Sequence, residues 1–517
     1  MRLRRALPAV LCVALAAGCS STAAAPPARH GTAALNPAGP PPATLAGYYA
    51  QKLRWRACDK VFRCARLLVP FDYSRPAGRR FSLPVIKLPT SHPAERLGSL
   101  VVNPGGPGGS GVAYALQARS EIAAAVRARF DIVGFDPRGV GGSQPAVRCL
   151  TGQELDKYFA TDDMPGNAAQ AGTIVAESKV FAQGCERSSG ALLRYVGTRN
   201  AARDMDVLRA ALGEAKLTYL GKSYGTYLGT WYAQLFPTHI RALVLDGAID
   251  PASTGLSMNA VQAQGFEMAL RAFIANCEGA AGCPLGHAGV AAGLARIQAL
   301  VARASGHPLA NDLDSQSANG AMLLSGIATA LYSQAYWGTL RSALSAAFQG
   351  NGTVLVELAN ALYERNAAGQ YSNLADAETA VDCVDRPWPA SLARWRAAAA
   401  AAGRAAPLFG QAIMWGSLPC AYWPVRSYPA LSSLRSAGGR SVLATGAPPI
   451  LVVGNLRDPA TPYRWAQALS RDLSSGVLLG WDGNGHTAYM MGSSCVNSIV
   501  NRYLISLTVP RNGTVCP

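Results

Sequence analysis

The segment YLGKSYGTYLG contains a serine between two glycines, with Gly221, Ser223 and Gly225 in the pattern G-x-S-x-G. A serine with this spacing can act as a nucleophile, because the glycines permit a sharp turn that exposes its hydroxyl at the end of a strand. The chain contains 53 glycines, so the same pattern also arises by chance. The structural context therefore decides between a nucleophile and a serine in a glycine-rich turn.

Apolar runs and helical segments alternate on both sides of Ser223. LTYLG, directly before it, predicts a short strand, and YLGTWYAQLFP, directly after it, predicts a helix that ends at Pro237. LGSLVVNPGG, FDIVGFDPRG and IRALVLDGAID predict further strands, and AARDMDVLRAALG predicts a helix. This alternation predicts an α/β fold with a mainly parallel sheet covered by helices. Ser223 then lies at a strand-to-helix turn, and we interpret it as the nucleophile.

A serine nucleophile needs a general base, usually histidine, and a carboxylate that orients this base. Among the six histidines, His486 follows the apolar run Gly476 to Trp481, and a loop after a late strand is where a hydrolase base belongs. The other five lie before the sheet, in a helical insertion or at the end of the helix that follows the serine. We therefore predict that His486 is the base.

The acid is expected between the serine and the histidine in the chain. Asp458 directly follows the apolar strand Ile450 to Val453 and is the first choice. Asp246 also ends a strand and is the alternative. Asp472 lies in a helical segment and Asp482 is close in sequence to the histidine, so both fit this role less well.

A tetrahedral intermediate needs N–H donors that are already in position. The backbone of Tyr224, immediately after the nucleophile, is predicted to supply one. The glycine-rich loop NPGGPGGSG is predicted to supply the other, from Gly106 first and Gly105 second, because its glycines let the backbone approach the substrate closely. The loop lacks the G-x-G-x-x-G context of a dinucleotide site.

The first residues form a targeting segment, with three arginines before the short apolar run Ala6 to Ala17. Small residues precede Cys19 as in a bacterial lipobox, which predicts a lipoprotein signal peptide over residues 1–18, with ordinary secretory cleavage as the alternative. Residues 19–47 are rich in Ala and Pro and predict a flexible tether. An exported protein held at the membrane by a lipid on Cys19 is the expectation.

Ten further cysteines remain in the predicted mature chain, which suits an oxidising compartment. Pairing of neighbours along the chain is the simplest hypothesis: Cys58 with Cys64, Cys149 with Cys185, Cys277 with Cys283, Cys383 with Cys420, and Cys495 with Cys516. The absence of C-x-x-C pairs makes a zinc site the weaker interpretation. The formal net charge of +17 is not arranged in long basic runs, which favours a solvated surface near an anionic envelope over nucleic-acid binding.

Five motifs, NPGGPGGSG, FDPRGVGGS, GKSYGT, DPATPY and GNGHT, occur in this order. Together they resemble the α/β-hydrolase peptidases of the prolyl and tripeptidyl aminopeptidase group, in particular actinobacterial secreted tripeptidyl aminopeptidases and a mycobacterial cell-envelope lipoprotein protease (carboxylesterase A). The resemblance implies an α/β-hydrolase fold with a large helical cap and a Ser–Asp–His mechanism that uses no cofactor and no metal ion. It places the core at residues 48–251 and 439–517 and the cap at residues 252–438. Asp136 and Arg138 of FDPRG are expected to form a structural charge pair beneath the site.

The cap segment DAETAVDCVDRP contains clustered carboxylates. An aminopeptidase must hold a protonated amine, and a carboxylate supplies the opposite charge. Asp385 is the first choice for this role, because the predicted 383–420 disulfide would fix its backbone, and Glu378 and Asp382 are the alternatives. A solvated acidic loop is the competing interpretation.

The sequence thus predicts a serine hydrolase that cleaves peptide bonds, in particular an aminopeptidase that releases short N-terminal peptides. A carboxylesterase or an envelope endopeptidase with the same triad is the alternative, since one triad and one oxyanion hole can serve both kinds of acyl group. A non-catalytic lipoprotein that binds peptides is a third hypothesis, against which the complete triad argues. The expected partners are peptide or protein substrates and the membrane, with no nucleic acid.

Overall fold

The structure is a computed structural model, and it describes residues 44–429, 431 and 443–517. The predicted signal peptide, Cys19 and the tether up to residue 43 lie outside the described residues. The first helix begins at Leu45, slightly before the predicted start of the core at residue 48. This earlier start follows from packing, because Tyr48 is fully buried and its hydroxyl donates a hydrogen bond to the carbonyl of Pro76.

One sheet organises the molecule. Its strands, in chain order, are β1 (Arg56–Ala57), β2 (Arg63–Pro70), β3 (Arg80–Leu88), β4 (Gly98–Asn103), β5 (Phe130–Phe135), β6 (Leu217–Lys222), β7 (Ile240–Asp246), β8 (Ile450–Arg457), β9 (Gly476–Asn484) and β10 (Thr514–Cys516). They lie side by side in the order β1-β2-β3-β5-β4-β6-β7-β8-β9-β10. The pairs from β1 to β3 and the pair β3–β5 are antiparallel, and the remaining pairs are parallel. Every residue of β4, β5 and β6 is buried, as expected for central parallel strands with both faces covered.

Helices cover both faces of the sheet and build the cap. They are α1 (Leu45–Tyr49), α2 (Gly111–Leu116), α3 (Ala118–Glu121), α4 (Ala124–Arg127), α5 (Gly152–Phe159), α6 (Ala168–Leu193), α7 (Thr198–Ala211), α8 (Tyr224–Leu235), α9 (Gly255–Glu278), α10 (Val290–Gly306), α11 (Gly320–Leu331), α12 (Trp337–Phe348), α13 (Thr353–Leu362), α14 (Leu374–Asp385), α15 (Leu392–Ala405), α16 (Gly410–Gly416), α17 (Tyr463–Asp472) and α18 (Ser494–Ser506), with short 3-10 turns at Pro93–Glu95, Pro237–His239, Gln334–Tyr336 and Leu418–Tyr422. None of the helices in the described residues is long and apolar enough to cross a membrane.

The strand order creates a switch point between β4 and β6. The chain leaves β4 towards β5 on one side and later returns to β6 on the other side, so the loops after β4 and β6 diverge. In open α/β sheets such a divergence leaves a crevice at the carboxyl ends of the strands, where ligands bind. The loop that begins at Pro104 and the turn at Ser223 both lie at this crevice.

Helices α9 to α16 lie between β7 and β8 and have their own apolar core, formed mainly by α9 to α13. A second helical excursion, α5 and α6, lies between β5 and α7 and packs on this cap. The rings of Phe159 and Tyr363 stack with their centroids 3.7 Å apart, and Ile174 shares a cluster with Trp395. The cap predicted from the sequence comprises residues 252–438 alone, without this contribution from the first half of the core.

The ten cysteines of the described residues form five pairs in disulfide geometry: Cys58–Cys64, Cys149–Cys185, Cys277–Cys283, Cys383–Cys420 and Cys495–Cys516. The Cys383–Cys420 pair links helix α14 to the 3-10 turn at the end of the cap. The Cys149–Cys185 pair holds the start of the α5–α6 excursion against the middle of α6. Both excursions above the crevice therefore carry a covalent tie.

Candidate active site

Ser223 occupies a strained turn between β6 and α8. Its backbone has φ +55° and ψ −125°, a left-handed conformation that costs a non-glycine residue free energy and is typical of a nucleophile elbow. The turn is held on both sides. The Ser223 N–H donates to the carbonyl of Asp246 at 2.8 Å, and the hydroxyl of Thr226 donates to the carbonyl of Ser223 at 2.6 Å.

The glycines of the motif permit the strand and the helix to approach each other. A Cβ atom at Gly221 would lie 2.4 Å from the carbonyl oxygen of Gly225, and one at Gly225 would lie 2.9 Å from Oδ1 of Asn103. Neither distance is compatible with a side chain. The spacing that the sequence displays is therefore required by the backbone geometry of the turn.

His486 contacts the carboxylate of Asp458. Its Nδ1 atom lies 2.9 Å from Oδ1 and 3.1 Å from Oδ2 of Asp458. The histidine side chain is 10% exposed and the aspartate side chain is fully buried. His486 and Ser223 line the same cavity, of about 410 Å³, at the crevice. The structure thus brings all three predicted triad residues to one site.

The Asp458 carboxylate is held by the backbone around it. Oδ1 accepts the N–H groups of Ala460 and Thr461 at 2.9 and 2.7 Å, and Oδ2 accepts the N–H of Thr487 at 3.0 Å. The hydroxyl of Thr461 donates to Oδ2 at 3.0 Å and lies 3.3 Å from Nδ1 of His486. These hydrogen bonds hold the carboxylate in place and fix its direction towards the imidazole.

The alternative acids point elsewhere. Asp246 is fully buried and accepts the N–H groups of Ala488 and Tyr489, each at 2.9 Å. Burial raises its pKa to about 6, and the nearby Lys222 opposes this shift. Asp482 forms an ion pair with Arg457 at 2.7 Å. Asp246 therefore holds the loop that follows the histidine, whereas Asp458 contacts the ring itself.

A cap residue that the sequence analysis missed also holds the histidine loop. The carbonyl of Tyr332, at the end of α11, accepts the N–H of His486 at 2.8 Å. The two rings meet edge to face with their centroids 5.3 Å apart. A Cβ at Gly485 would lie 2.8 Å from the same carbonyl, so the G-N-G-H pattern includes a glycine that this contact requires. No local sequence signal marks Tyr332, because its partner lies more than 150 residues away.

The predicted oxyanion donors are not equivalent. The N–H of Gly105 donates to Oδ1 of Asn103 at 3.0 Å and is therefore occupied. Within the described residues, the N–H groups of Gly106 and Tyr224 have no acceptor. A Cβ at Gly105 would lie 2.8 Å from Cβ of Ser223 and 3.0 Å from the nitrogen of Tyr224, so the loop packs directly on the serine turn. The geometry favours Gly106 and Tyr224 as donors and gives Gly105 the role of a close-contact position.

Two cavities meet at Ser223. The first, of about 410 Å³, also contains His486, and the second, of about 370 Å³, extends under α14 and α16. Glu378 lines both. Burial raises its pKa to about 8, and the negative charges of Asp382 and Glu364 add to this effect. Among the described residues, no group donates a hydrogen bond to the Glu378 carboxylate or forms an ion pair with it.

The other two candidate amine anchors are placed differently. Asp382 lines the second cavity but lies 3.5 Å from the guanidinium of Arg386. The structure corrects the first choice from the sequence, Asp385, because this residue lines neither cavity. Its carboxylate accepts the N–H of Thr198 at 2.8 Å and also the hydroxyl of Thr198, because it ends α14 at the N-terminus of α7 and caps that helix.

Asp163 is a further carboxylate of the site that the sequence analysis did not single out. It lies in the connection between α5 and α6 and lines both cavities. Burial raises its pKa to about 7, and its Oδ1 atom is buried without a hydrogen-bond partner in the described residues. No spacing pattern in the surrounding segment, ATDDMPGN, indicates that Asp163 belongs to the site.

The expected charge pair of FDPRG is also corrected. Asp136 accepts the hydroxyl of Ser110 at 2.6 Å and the N–H of Gly142 at 2.8 Å. Arg138 instead forms a fully buried ion pair with Asp204, at 2.5 and 2.7 Å. The turn between the two residues directs their side chains to different partners, and Asp204 lies on α7, far along the chain.

The described residues contain no group of three or more His, Cys, Asp or Glu side chains arranged as a metal site.

Residues 406–516 match the family described as TAP-like protein, an α/β-hydrolase family. The chain is 38% identical over 465 residues to the serine protease Hip1 of Mycobacterium tuberculosis. The alignment covers 88% of this chain and 87% of the relative. It is 38% identical to carboxylesterase B of the same organism, with 90% of each chain covered.

A tripeptidyl aminopeptidase of Streptomyces lividans is 33% identical over 480 residues, covering 89% of this chain and 86% of the relative. These relatives match both the core and the cap, and two of the three bear the names of peptidases. The sheet order and the serine elbow described above are those of an α/β hydrolase. The chain is a serine hydrolase, and it belongs to the α/β-hydrolase serine peptidases of the tripeptidyl aminopeptidase group.

Proposed function

We propose that this protein is an exported aminopeptidase that releases short peptides from free N-termini through an acyl-enzyme on Ser223. The observation that carries the proposal is the Glu378 carboxylate. It lines both cavities beside Ser223 and has no partner within the described residues. A substrate ammonium would supply the missing counter-charge and stabilise the ionised carboxylate.

The chemistry follows from the positions of the triad. The Ser223 hydroxyl attacks the scissile carbonyl while His486 accepts its proton, and Asp458 keeps the imidazole oriented and stabilises its protonated form. The N–H groups of Gly106 and Tyr224 bind the oxyanion. His486 then donates the proton to the leaving amine, and the peptide bond breaks with the N-terminal fragment esterified to Ser223. Water, activated by His486, hydrolyses this ester and regenerates the enzyme.

The Glu378→Gln variant tests the amine anchor. Peptides with a free N-terminus are compared with the same peptides after N-acetylation. Loss of a charged hydrogen bond of ~1.5–3 kcal/mol lowers kcat/KM for free-amine peptides by roughly 10- to 150-fold. Acetylated peptides and simple esters are expected to change little. Asp385→Asn is the matched control, because Asp385 lines neither cavity and should not discriminate between the two substrate types.

The alternative function is ester hydrolysis, which the relative named carboxylesterase B supports. If the wild-type enzyme cleaves acetylated peptides as fast as free ones, the aminopeptidase hypothesis is excluded and an endopeptidase or an esterase remains. If the Glu378→Gln variant lowers activity equally on free and acetylated peptides, Glu378 is not the amine anchor. Product masses from a peptide library give the number of residues released.

Export and membrane attachment are part of the same proposal. The sequence of residues 1–18 and Cys19 supports a lipoprotein signal, and the five disulfide pairs of the described residues suit an oxidising compartment. Intact-mass analysis of the membrane fraction should find an acylated mature N-terminus at Cys19. A soluble product that begins elsewhere would contradict the lipid anchor without affecting the peptidase.

A further inference from the structure

Four arginine side chains line one surface pocket of about 350 Å³. They are Arg75 from the β2–β3 turn, Arg194 from the connection between α6 and α7, and Arg199 and Arg203 from α7. We call this the arginine pocket. It shares no lining residue with the two cavities at Ser223, so it is a site apart from the peptidase chemistry.

The positive charge of the arginine pocket is not matched by close carboxylates. Within the described residues, none of the four guanidinium groups forms an ion pair or donates a side-chain hydrogen bond. The residues outside this range, 1–43, 430 and 432–442, contain no Asp or Glu, so no carboxylate side chain there can pair with them. Burial lowers the pKa of Arg203, and the positive charge of Arg199 lowers it further. The positive charges of the pocket therefore repel each other.

A single carboxylate, Asp72, also lines the pocket. It accepts hydrogen bonds from the N–H and the hydroxyl of Ser74, at 2.9 and 2.6 Å. These bonds, followed by the charges of Arg75 and Arg194, lower its pKa, so it is ionised at neutral pH. One carboxylate against four arginines leaves about three uncompensated positive charges in the pocket.

The base of the pocket is rigid. Arg138, fully buried, donates to the carbonyls of Phe71 and Tyr195 at 3.1 and 3.0 Å, and these residues adjoin Asp72 and Arg194 in the chain. Its ion pair with Asp204 fixes the residue next to Arg203. One buried guanidinium thus ties together the three segments that carry the surface arginines. The backbone positions of the arginines are thus fixed before a ligand binds, so binding has to order only their side chains.

We propose that the arginine pocket binds a phosphate group carried by an organic molecule. Arginine forks match phosphate oxygens and bind them in a bidentate manner. A phosphate monoester carries about −1.5 to −2 charges at neutral pH and so balances most of the excess, whereas one carboxylate balances only a third of it. The volume lies within the ~300–1,000 Å³ typical of ligand sites, which leaves room for an attached organic group.

Calorimetric titration of the mature protein with inorganic phosphate, glycerol 3-phosphate and acetate tests this proposal. Sedimentation with phosphatidylcholine vesicles, with and without phosphatidic acid, whose headgroup is a phosphate monoester, is the second arm. The variant is R199Q/R203Q, and the matched control is Arg341→Gln, since Arg341 lines a different surface pocket. Hydrolytic activity and circular dichroism of each variant verify the fold, because none of these arginines lines a cavity at Ser223.

We expect saturable binding of the phosphate probes, weakened at least about tenfold in the double variant and unchanged in Arg341→Gln. Binding of glycerol 3-phosphate without vesicle binding assigns a soluble phosphate ester. Preference for vesicles that contain phosphatidic acid, lost in the double variant, assigns a lipid headgroup. The absence of saturable binding in every arm, equal weakening by the control variant, or acetate binding as tight as phosphate binding would each overturn the proposal.

Discussion

The Nδ1 atom of His486 lies 2.9 Å from Oδ1 of Asp458, a contact that joins the loop after β9 to the loop after β8. The second buried carboxylate nearby, Asp246, binds the backbone N–H groups two and three residues beyond the histidine. One aspartate therefore orients the ring, and the other fixes the loop that carries it. The two roles predict different defects when either charge is removed.

The Asp458→Asn variant is expected to retain its fold and to lose turnover by roughly 10⁴-fold, because an amide favours the wrong imidazole tautomer. Asp246→Asn is the matched comparison. An amide there can accept only through its oxygen, so the loop after His486 loosens and the thermal midpoint falls, while turnover declines far less. Steady-state kinetics and thermal melts of both variants measure the difference. The reverse ranking of turnover would exchange the two assignments.

Gly105→Ala is expected to abolish hydrolysis. The new Cβ would lie 2.7 Å from the carbonyl of Lys222 and 2.8 Å from Cβ of Ser223, and φ is +105° at this position. The loop must move away from the nucleophile, which displaces the oxyanion donors. Gly172→Ala, in α6, has open space around the added atom and serves as the control. Equal activity of the two variants would show that the loop does not support catalysis.

The stability of the enzyme should depend on pH through Glu378. Burial raises its pKa from 4.5 to about 8, so the folded state retains a proton that the unfolded chain releases. Stability therefore falls as the pH rises between these two values. The Glu378→Gln variant lacks this titration, and its thermal midpoint should decline less from pH 5 to pH 8 than that of the wild type. Parallel melting curves for the two proteins would contradict the shifted pKa.

Arg138 is expected to be a structural residue. Its replacement by Gln leaves the carboxylate of Asp204 buried without a charge partner, a loss of about 3–5 kcal/mol in the free energy of unfolding. Arg129→Gln removes a partly exposed pair with Glu95 and should cost less than about 1 kcal/mol. Chemical denaturation of both variants provides the comparison, and similar stabilities would show that the buried pair is dispensable.

The sequence predicts those parts of the site that depend on local order. Ser223, Asp458 and His486 each follow a strand, and the carboxyl ends of parallel strands meet at one edge of a sheet, so their proximity follows from the alternation of elements. The direction of a side chain at a helix end does not follow in this way. Asp385 accepts hydrogen bonds at the N-terminus of α7, and Arg138 pairs with Asp204. Both partners are distant in the chain, so the local order of elements does not predict these contacts.

The contribution of α5 and α6 to the cap was also beyond sequence reasoning. Their segment lies between two core elements, and only its packing on the later helices, as between Phe159 and Tyr363, brings it over the crevice. Asp163 lies in this excursion, between α5 and α6, and lines both cavities. Carboxylates are common in surface loops, so the composition of the segment around Asp163 does not distinguish it from a solvated turn.

Trapping of the acyl-enzyme tests whether Ser223 is the nucleophile of an aminopeptidase. A free-amine peptide is mixed with the enzyme, the reaction is quenched in acid within its first turnovers, and the protein is digested and mapped by mass spectrometry. We expect the N-terminal fragment of the substrate to be attached through an ester to Ser223, and we expect no adduct in Ser223→Ala. An adduct on another residue, or a fragment from the substrate's C-terminal side on Ser223, would contradict this assignment.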